Sequence, residues 1–107
     1  MKKSLSRTSS EKRVVNKIIA YLRSQGAWCF KVHGGPMQII GLPDVIACYR
    51  GYFLAIEVKA PDNQDGVTDL QKDTLEAISR AGGLACVAVN VTDIEFIIDS
   101  LRKQPKA

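Results

Sequence analysis

Two short apolar runs, Val45-Ile46-Ala47-Cys48-Tyr49 and Tyr52-Phe53-Leu54-Ala55-Ile56, stand on either side of Arg50-Gly51. Both are rich in β-branched and aromatic residues, and the pattern predicts a β-hairpin closed by a two-residue turn. With that turn, Tyr49 faces Tyr52, Cys48 faces Phe53, Ile46 faces Ala55, and Asp44 faces Glu57. Upstream, Val14, Val15, Ile18, Ile19 and Leu22 recur at helical spacing and Gly26 follows, so a helix is expected to run to Ser24. Thr8-Ser9-Ser10-Glu11 fits a capping box and puts its start near Ser9 or Ser10. Ala27 to Val32 alternates, with Trp28, Phe30 and Val32 on one face, and reads as a first strand.

Beyond the hairpin, the turn-rich stretch from Ala60 to Gly66 leads to a second capping box, Thr68-Asp69-Leu70-Gln71. It opens a helix with Leu70, Thr74, Leu75 and Ile78 inward, stopped by Gly82-Gly83. Leu84 to Val89 is a continuous apolar run of the kind found in buried strands. A third box, Thr92-Asp93-Ile94-Glu95, is expected to open a last helix carrying Ile94, Ile97, Ile98 and Leu101. The order α-β-β-β-α-β-α, with one parallel strand-helix-strand crossover, gives an α/β fold: a mixed four-stranded sheet flanked by helices.

At 107 residues, 46% of them hydrophobic, the chain is expected to form a single domain over residues 1–107, with residues 1–8 a basic flexible tail. No apolar run approaches the roughly 18 residues that span a bilayer, and no apolar h-region follows the first residues, so a cytoplasmic location without a membrane partner is expected. Cys29, Cys48 and Cys86 show no metal-site spacing and read as buried reduced thiols.

Charge is unevenly divided. Residues 1–35 hold eight Lys or Arg against one acid, a net of +7, while the rest hold seven against ten, a net of −3. Such a basic third fits an anionic partner such as nucleic acid, or a solvated helix face. Lys12, Arg13 and Lys17 are the candidate nucleic-acid contacts on the first helix. Lys12 and Arg13 oppose the dipole of the expected first turn, a cost that phosphate binding would explain.

The hairpin supplies the candidate chemistry. Like charges directly across a ladder repel, so Asp44 and Glu57 call for a positive group between them. Lys59, two residues beyond Glu57, shares its face. Converging carboxylate oxygens suit Mg²⁺, which keeps several waters and takes other ligands from a substrate phosphate. Metal-assisted hydrolysis is the chemistry implied. Glu11 lies on the inward stripe of the first helix, either as a site acid or as a cap for its own backbone. His33, the one histidine, sits in the glycine-rich loop His33 to Leu42 that abuts Asp44; it reads as a general base, a phosphate contact or an exposed loop residue.

Pro43-Asp44, Glu57-Val58-Lys59, the acid early in the first helix and Gln71 on a following helix together resemble the PD-(D/E)xK nuclease superfamily. Gly41-Leu42-Pro43-Asp44 and Glu57-Val58-Lys59-Ala60-Pro61 in so small a chain look most like the VRR-NUC domain, whose stand-alone members occur in phages and bacteria and are similar in core to Holliday-junction resolvases. The resemblance covers residues 8 to 92 and implies a restriction-endonuclease-like core. It implies a Mg²⁺- or Mn²⁺-dependent endonuclease acting on DNA, structure-selective for branched DNA or Holliday junctions, in a bacterial cell or phage-infected host. Asp44, Glu57, the Val58 carbonyl and Glu11 would then serve the metal, Lys59 would orient the attacking water, and Gln71 would stand near the scissile phosphate. Many members carry glutamine four residues after the helix glutamate; here that position is Val15. One site per chain cannot cut two strands symmetrically, so a homodimer is expected. The alternatives are a non-catalytic DNA-binding module of the same fold and a restriction-type endonuclease.

Overall fold

The computed structural model describes the backbone of residues 2–34 and 39–107, and the side chains of residues 10–34, 39–63 and 66–107. Helix α1 (Lys2–Ser24) is followed by strands β1 (Trp28–Lys31), β2 (Val45–Tyr49) and β3 (Tyr52–Val58). A 3-10 turn (Pro61–Gly66), helix α2 (Asp69–Arg80), strand β4 (Leu84–Ala88) and helix α3 (Val91–Arg102) complete the chain. The sheet has the order β1-β2-β3-β4, antiparallel except for the parallel β3/β4 pair. This is the mixed four-stranded α/β fold expected, with the 3-10 turn added.

The hairpin turn fixes the register. Arg50 (φ 52°) and Gly51 (φ 87°) both lie in the left-handed region, as the favoured two-residue turn requires. Tyr49 accordingly pairs with Tyr52, Cys48 with Phe53 and Ile46 with Ala55. Alternation then sorts the sheet into two faces. Cys29, Val45, Ala47, Tyr49, Leu54, Ile56, Val58 and Ala88 join Val15, Ile18 and Leu22 of α1 and Ile94, Ile98 and Leu101 of α3 in one core. The opposite face carries Trp28, Phe30, Phe53, Ala55 and Glu57, with α2 over its β3/β4 side.

Helix boundaries depart from expectation where a cap box was misread. Helix α1 already begins at Lys2, so Thr8-Ser9-Ser10-Glu11 lies within it and does not cap its start; residues 2–8 have helical backbone where a tail was expected. Its far end behaves as expected: the Ala27 N–H reaches the Leu22 carbonyl and the Gly26 N–H that of Arg23, a Schellman closure with Gly26 at φ 88°. Helix α3 is capped by Asn90 with Asp93 reaching back, not by Thr92, because Asn90 is the last extended residue and its side chain meets the Asp93 N–H. No residue of α2 is buried, and Leu70 is exposed: the helix rests on two strands of the sheet and nothing among the described residues covers its other side. Strand β4 has only one neighbour strand and buries only Ala88, contrary to the buried strand expected. Cys29 is buried, but Cys86 is half-buried and Cys48 exposed, so the thiols are not uniformly inside; all three are free. Among the described residues no helix is long and apolar enough to cross a membrane.

Candidate active site

The acids gather where β2 begins and β3 ends. Continuing the observed pairing of Val45 with Ile56 by one step brings Asp44 opposite Glu57. Asp44 precedes the first paired residue of β2, and its Oδ2 accepts a 2.7 Å hydrogen bond from the Val58 N–H. That bond bridges the two strand ends and holds Asp44 beside Glu57. The Asp44 carbonyl also accepts from the Val32 N–H at 2.8 Å, tying the start of β2 to the end of β1.

Glu57 is 2% exposed, the one charged residue that is buried among the described residues. Its neighbours Ile56 and Val58 point into the core, so Glu57 projects from the opposite face toward α2. There Gln71 Nε2 donates to Glu57 Oε2 at 2.7 Å and Lys59 Nζ lies 3.3 Å from the same oxygen. Oε1 is buried with no hydrogen-bond partner among the described residues. Burial of the carboxylate, reinforced by the charge of Asp44, pushes the Glu57 pKa up to about 7, against the lowering effect of Lys59. Asp44 is raised too, by burial first; its bond from Val58 and the nearby Lys59 charge oppose the rise.

Gln71 serves two partners with one amide. Its Oε1 accepts from the Thr68 N–H at 2.9 Å while its backbone N–H donates to Thr68 Oγ1, completing the capping box expected of this helix. The remaining amide end is thereby aimed at Glu57, so the cap and the site contact are the same side chain.

Glu11 does not cap its own helix. Its Oε2 accepts from the Ala60 N–H at 3.0 Å, just beyond Lys59. Its charge raises the pKa of both Asp44 and Glu57, which places it within electrostatic reach of the pair. Among the described residues, however, no three His, Cys, Asp or Glu side chains form a ready-made ligand set. Each of these three acids has one oxygen tied to a protein donor, and Glu57 has one left over without a partner. An unpartnered oxygen on a buried acid, beside a second acid, fits a divalent cation better than a purely structural ion pair.

Two clefts meet at Asp44. One, of about 270 Å³, lies between α1 and β1 and is lined by Glu11, Lys12, Val15, Lys31 and Asp44. The other is lined by Val32, His33, Gly34, Ile39, Ile40, Gly41, Leu42, Pro43 and Asp44. Of the basic residues expected to face nucleic acid, Lys12 therefore borders the site on one side and His33, exposed, on the other. Arg13 and Lys17 are exposed on α1 and line neither cleft. Lys31 was missed: it ends β1 opposite Val45, and its charge lowers the pKa of Asp44. The only sequence signal for it was a basic residue closing an alternating strand. Val58 is fully buried and contributes its N–H to Asp44.

No family model matches the chain, and no curated protein matches it. A solved structure does. Hjc, a Holliday junction resolvase from the archaeal hyperthermophile Archaeoglobus fulgidus, is similar with a TM-score of 0.51 and 22% identity, over 74% of this chain and 67% of that one. At that identity the likeness shows the fold, a restriction-endonuclease-like α/β core.

Proposed function

We propose that this chain is a Mg²⁺- or Mn²⁺-dependent endonuclease that hydrolyses DNA phosphodiester bonds, selective for branched DNA such as a Holliday junction, and a relative of the VRR-NUC domain. The observation that carries the reading is Glu57: a buried carboxylate with one oxygen unpartnered among the described residues, paired with Lys59 and Gln71 and pressed against Asp44 at the end of the sheet. A surface charge cluster would be exposed and screened; Glu57 and Lys59 are both largely buried. The fold shared with an archaeal resolvase supports the same reading.

Asp44, Glu57 and the Val58 carbonyl would hold the ion, with Glu11 nearby as a further acid. A bound divalent ion lowers the pKa of water and offsets charge on phosphoryl oxygens. Lys59, 3.3 Å from Glu57, would orient the attacking water and steady negative charge on the phosphate. Gln71 positions Glu57. Lys12 and Lys31 border the cleft beside the acids and would contact phosphate there, with Arg13, Lys17 and His33 as outer contacts for DNA. In this reading the enzyme works in the cytoplasm as a homodimer, so that two sites cut two strands.

The test is cleavage of labelled four-way and linear DNA with Mg²⁺, wild type beside Asp44→Ala. The reading predicts cleavage by wild type, preference for the junction, and loss of activity in the variant. Binding without cleavage by wild type would instead identify a DNA-binding module.

A further inference from the structure

The cleft on the far side of Asp44 has a rim unlike the rest of the site. Ile39 is 74% exposed and Ile40 77%, consecutive and large, and both line the cleft with His33, Pro43 and Asp44. Leu70, 53% exposed at the start of α2, lies against Gly41, the residue after Ile40. Gly41 couples the two: at φ 88° it brings the chain so close to α2 that a Cβ would lie 3.1 Å from the Leu70 backbone. The position next to Leu70 is Gln71, which holds Glu57. The apolar rim is thus anchored to the same turn of helix that positions the buried acid.

Exposed isoleucines at this density gain nothing from water. Their neighbours say what would cover them. Asp44 is shared by a cleft in which Lys12 and Lys31 stand beside Glu11 and by the cleft bearing Ile39 and Ile40. A ligand filling both meets two lysines, and any divalent ion held by the acids, on one side and an apolar surface on the other. Nucleic acid meets that description where a base has lost its stacking neighbour. In an intact duplex the faces of the bases are covered; at a branch point they are open, and apolar side chains of this kind act as wedges between base steps. Resting on the nuclease reading above, we infer that Ile39 and Ile40 are the element that selects branched DNA, packing against an unstacked base at the branch while Lys12, Lys31 and the ion of the acidic site hold the adjacent phosphate.

The experiment compares wild type with Ile39→Ser/Ile40→Ser. The probes are a four-way junction carrying 2-aminopurine at its branch and a linear duplex of matching sequence, in EDTA so that neither is cut. Wild type binding should raise 2-aminopurine fluorescence and favour the junction. The variant should keep its melting temperature and its duplex affinity, lose the fluorescence rise, and bind the junction about tenfold more weakly, the scale of one lost base contact. An unchanged junction preference, or an unchanged fluorescence rise, overturns the inference while leaving the nuclease reading in place. If sedimentation shows that wild type self-associates and the variant does not, the isoleucines belong to a protein interface and the inference also fails. Failure of wild type to bind the junction under these conditions overturns the inference, while the nuclease reading stands or falls separately on cleavage with Mg²⁺.

Discussion

The amide of Gln71 donates to Glu57 Oε2 at 2.7 Å from one end while its other end accepts the Thr68 N–H at 2.9 Å. Helix capping and site geometry are therefore coupled through one side chain. The two partners should separate by mutation. Thr68→Ala removes only the cap hydroxyl and is expected to cost about 1 kcal/mol of stability with cleavage nearly intact. Gln71→Leu removes the cap's return bond and also strips a partner from a buried carboxylate; it should lower stability further and reduce kcat. Thermal melts and single-turnover cleavage, run on both variants, check the split.

Glu57 makes the fold pay for its site. A carboxyl whose pKa is raised from 4.5 to about 7 binds its proton more tightly folded than unfolded. The stability this gives is complete below pH 4.5 and is lost as pH climbs through 7; Asp44, raised as well, acts in the same direction. The melting temperature is expected to fall between pH 5 and pH 8, by an amount corresponding to a few kcal/mol. Glu57→Gln should flatten that dependence, raise the melting temperature at pH 8 and abolish cleavage. Mg²⁺ should stabilise wild type more at pH 8 than at pH 5, since it binds the ionised acids of the folded chain.

Lys59 faces Glu57 with both side chains largely buried, at 13% and 3% exposure. Removing one partner of such a pair leaves the other charge uncompensated. Lys59→Met is expected to push the Glu57 pKa higher still and to move the rising limb of the cleavage pH profile to higher pH, in addition to slowing the reaction. A profile with an unshifted limb would show that Lys59 does not act on Glu57.

How much of this was legible without coordinates differs by feature, for physical reasons. The hairpin register was readable because a two-residue turn leaves no freedom: Arg50-Gly51 dictated that Asp44 and Glu57 meet, and the observed pairs follow. The Thr68/Gln71 cap was readable for the same local reason. Lys31 was not, since a long loop separates β1 from β2 and no turn type sets their register. Nor was the partner of Glu11, whose bond to the Ala60 N–H spans 49 residues. The box at Thr8 misled because a capping pattern is equally at home inside a helix, and α1 runs through it.

The tail of the chain folds back on the same hairpin. Arg50 Nη2 donates to the Gln104 carbonyl at 2.8 Å, the Tyr52 hydroxyl to the Pro105 carbonyl at 2.5 Å, and the Ala107 N–H to the Arg50 carbonyl at 3.0 Å. Arg50 holds a positive φ that costs a non-glycine residue about 1 kcal/mol, and these bonds help fix it. Deleting residues 105–107 should destabilise the fold by about 1 to 3 kcal/mol and speed hydrogen exchange at the turn, with DNA affinity unchanged.

Charge in the cleft makes a separate prediction. Lys12→Gln and Lys31→Gln should each weaken DNA binding across sequences and lower the slope of log affinity against log salt by about one. Lys17→Gln, on the exposed side of α1 and outside the cleft, should alter that slope less.

The central claim is that Asp44 and Glu57 together hold a divalent ion. Calorimetric titration of Mg²⁺ into the DNA-free protein tests it most directly, with wild type, Asp44→Ala and Glu57→Gln side by side. Saturable binding in wild type, weakened at least about tenfold in each variant, is the predicted result. Equal binding by all three proteins, or no binding by a wild type that still cuts DNA in EDTA, would contradict it.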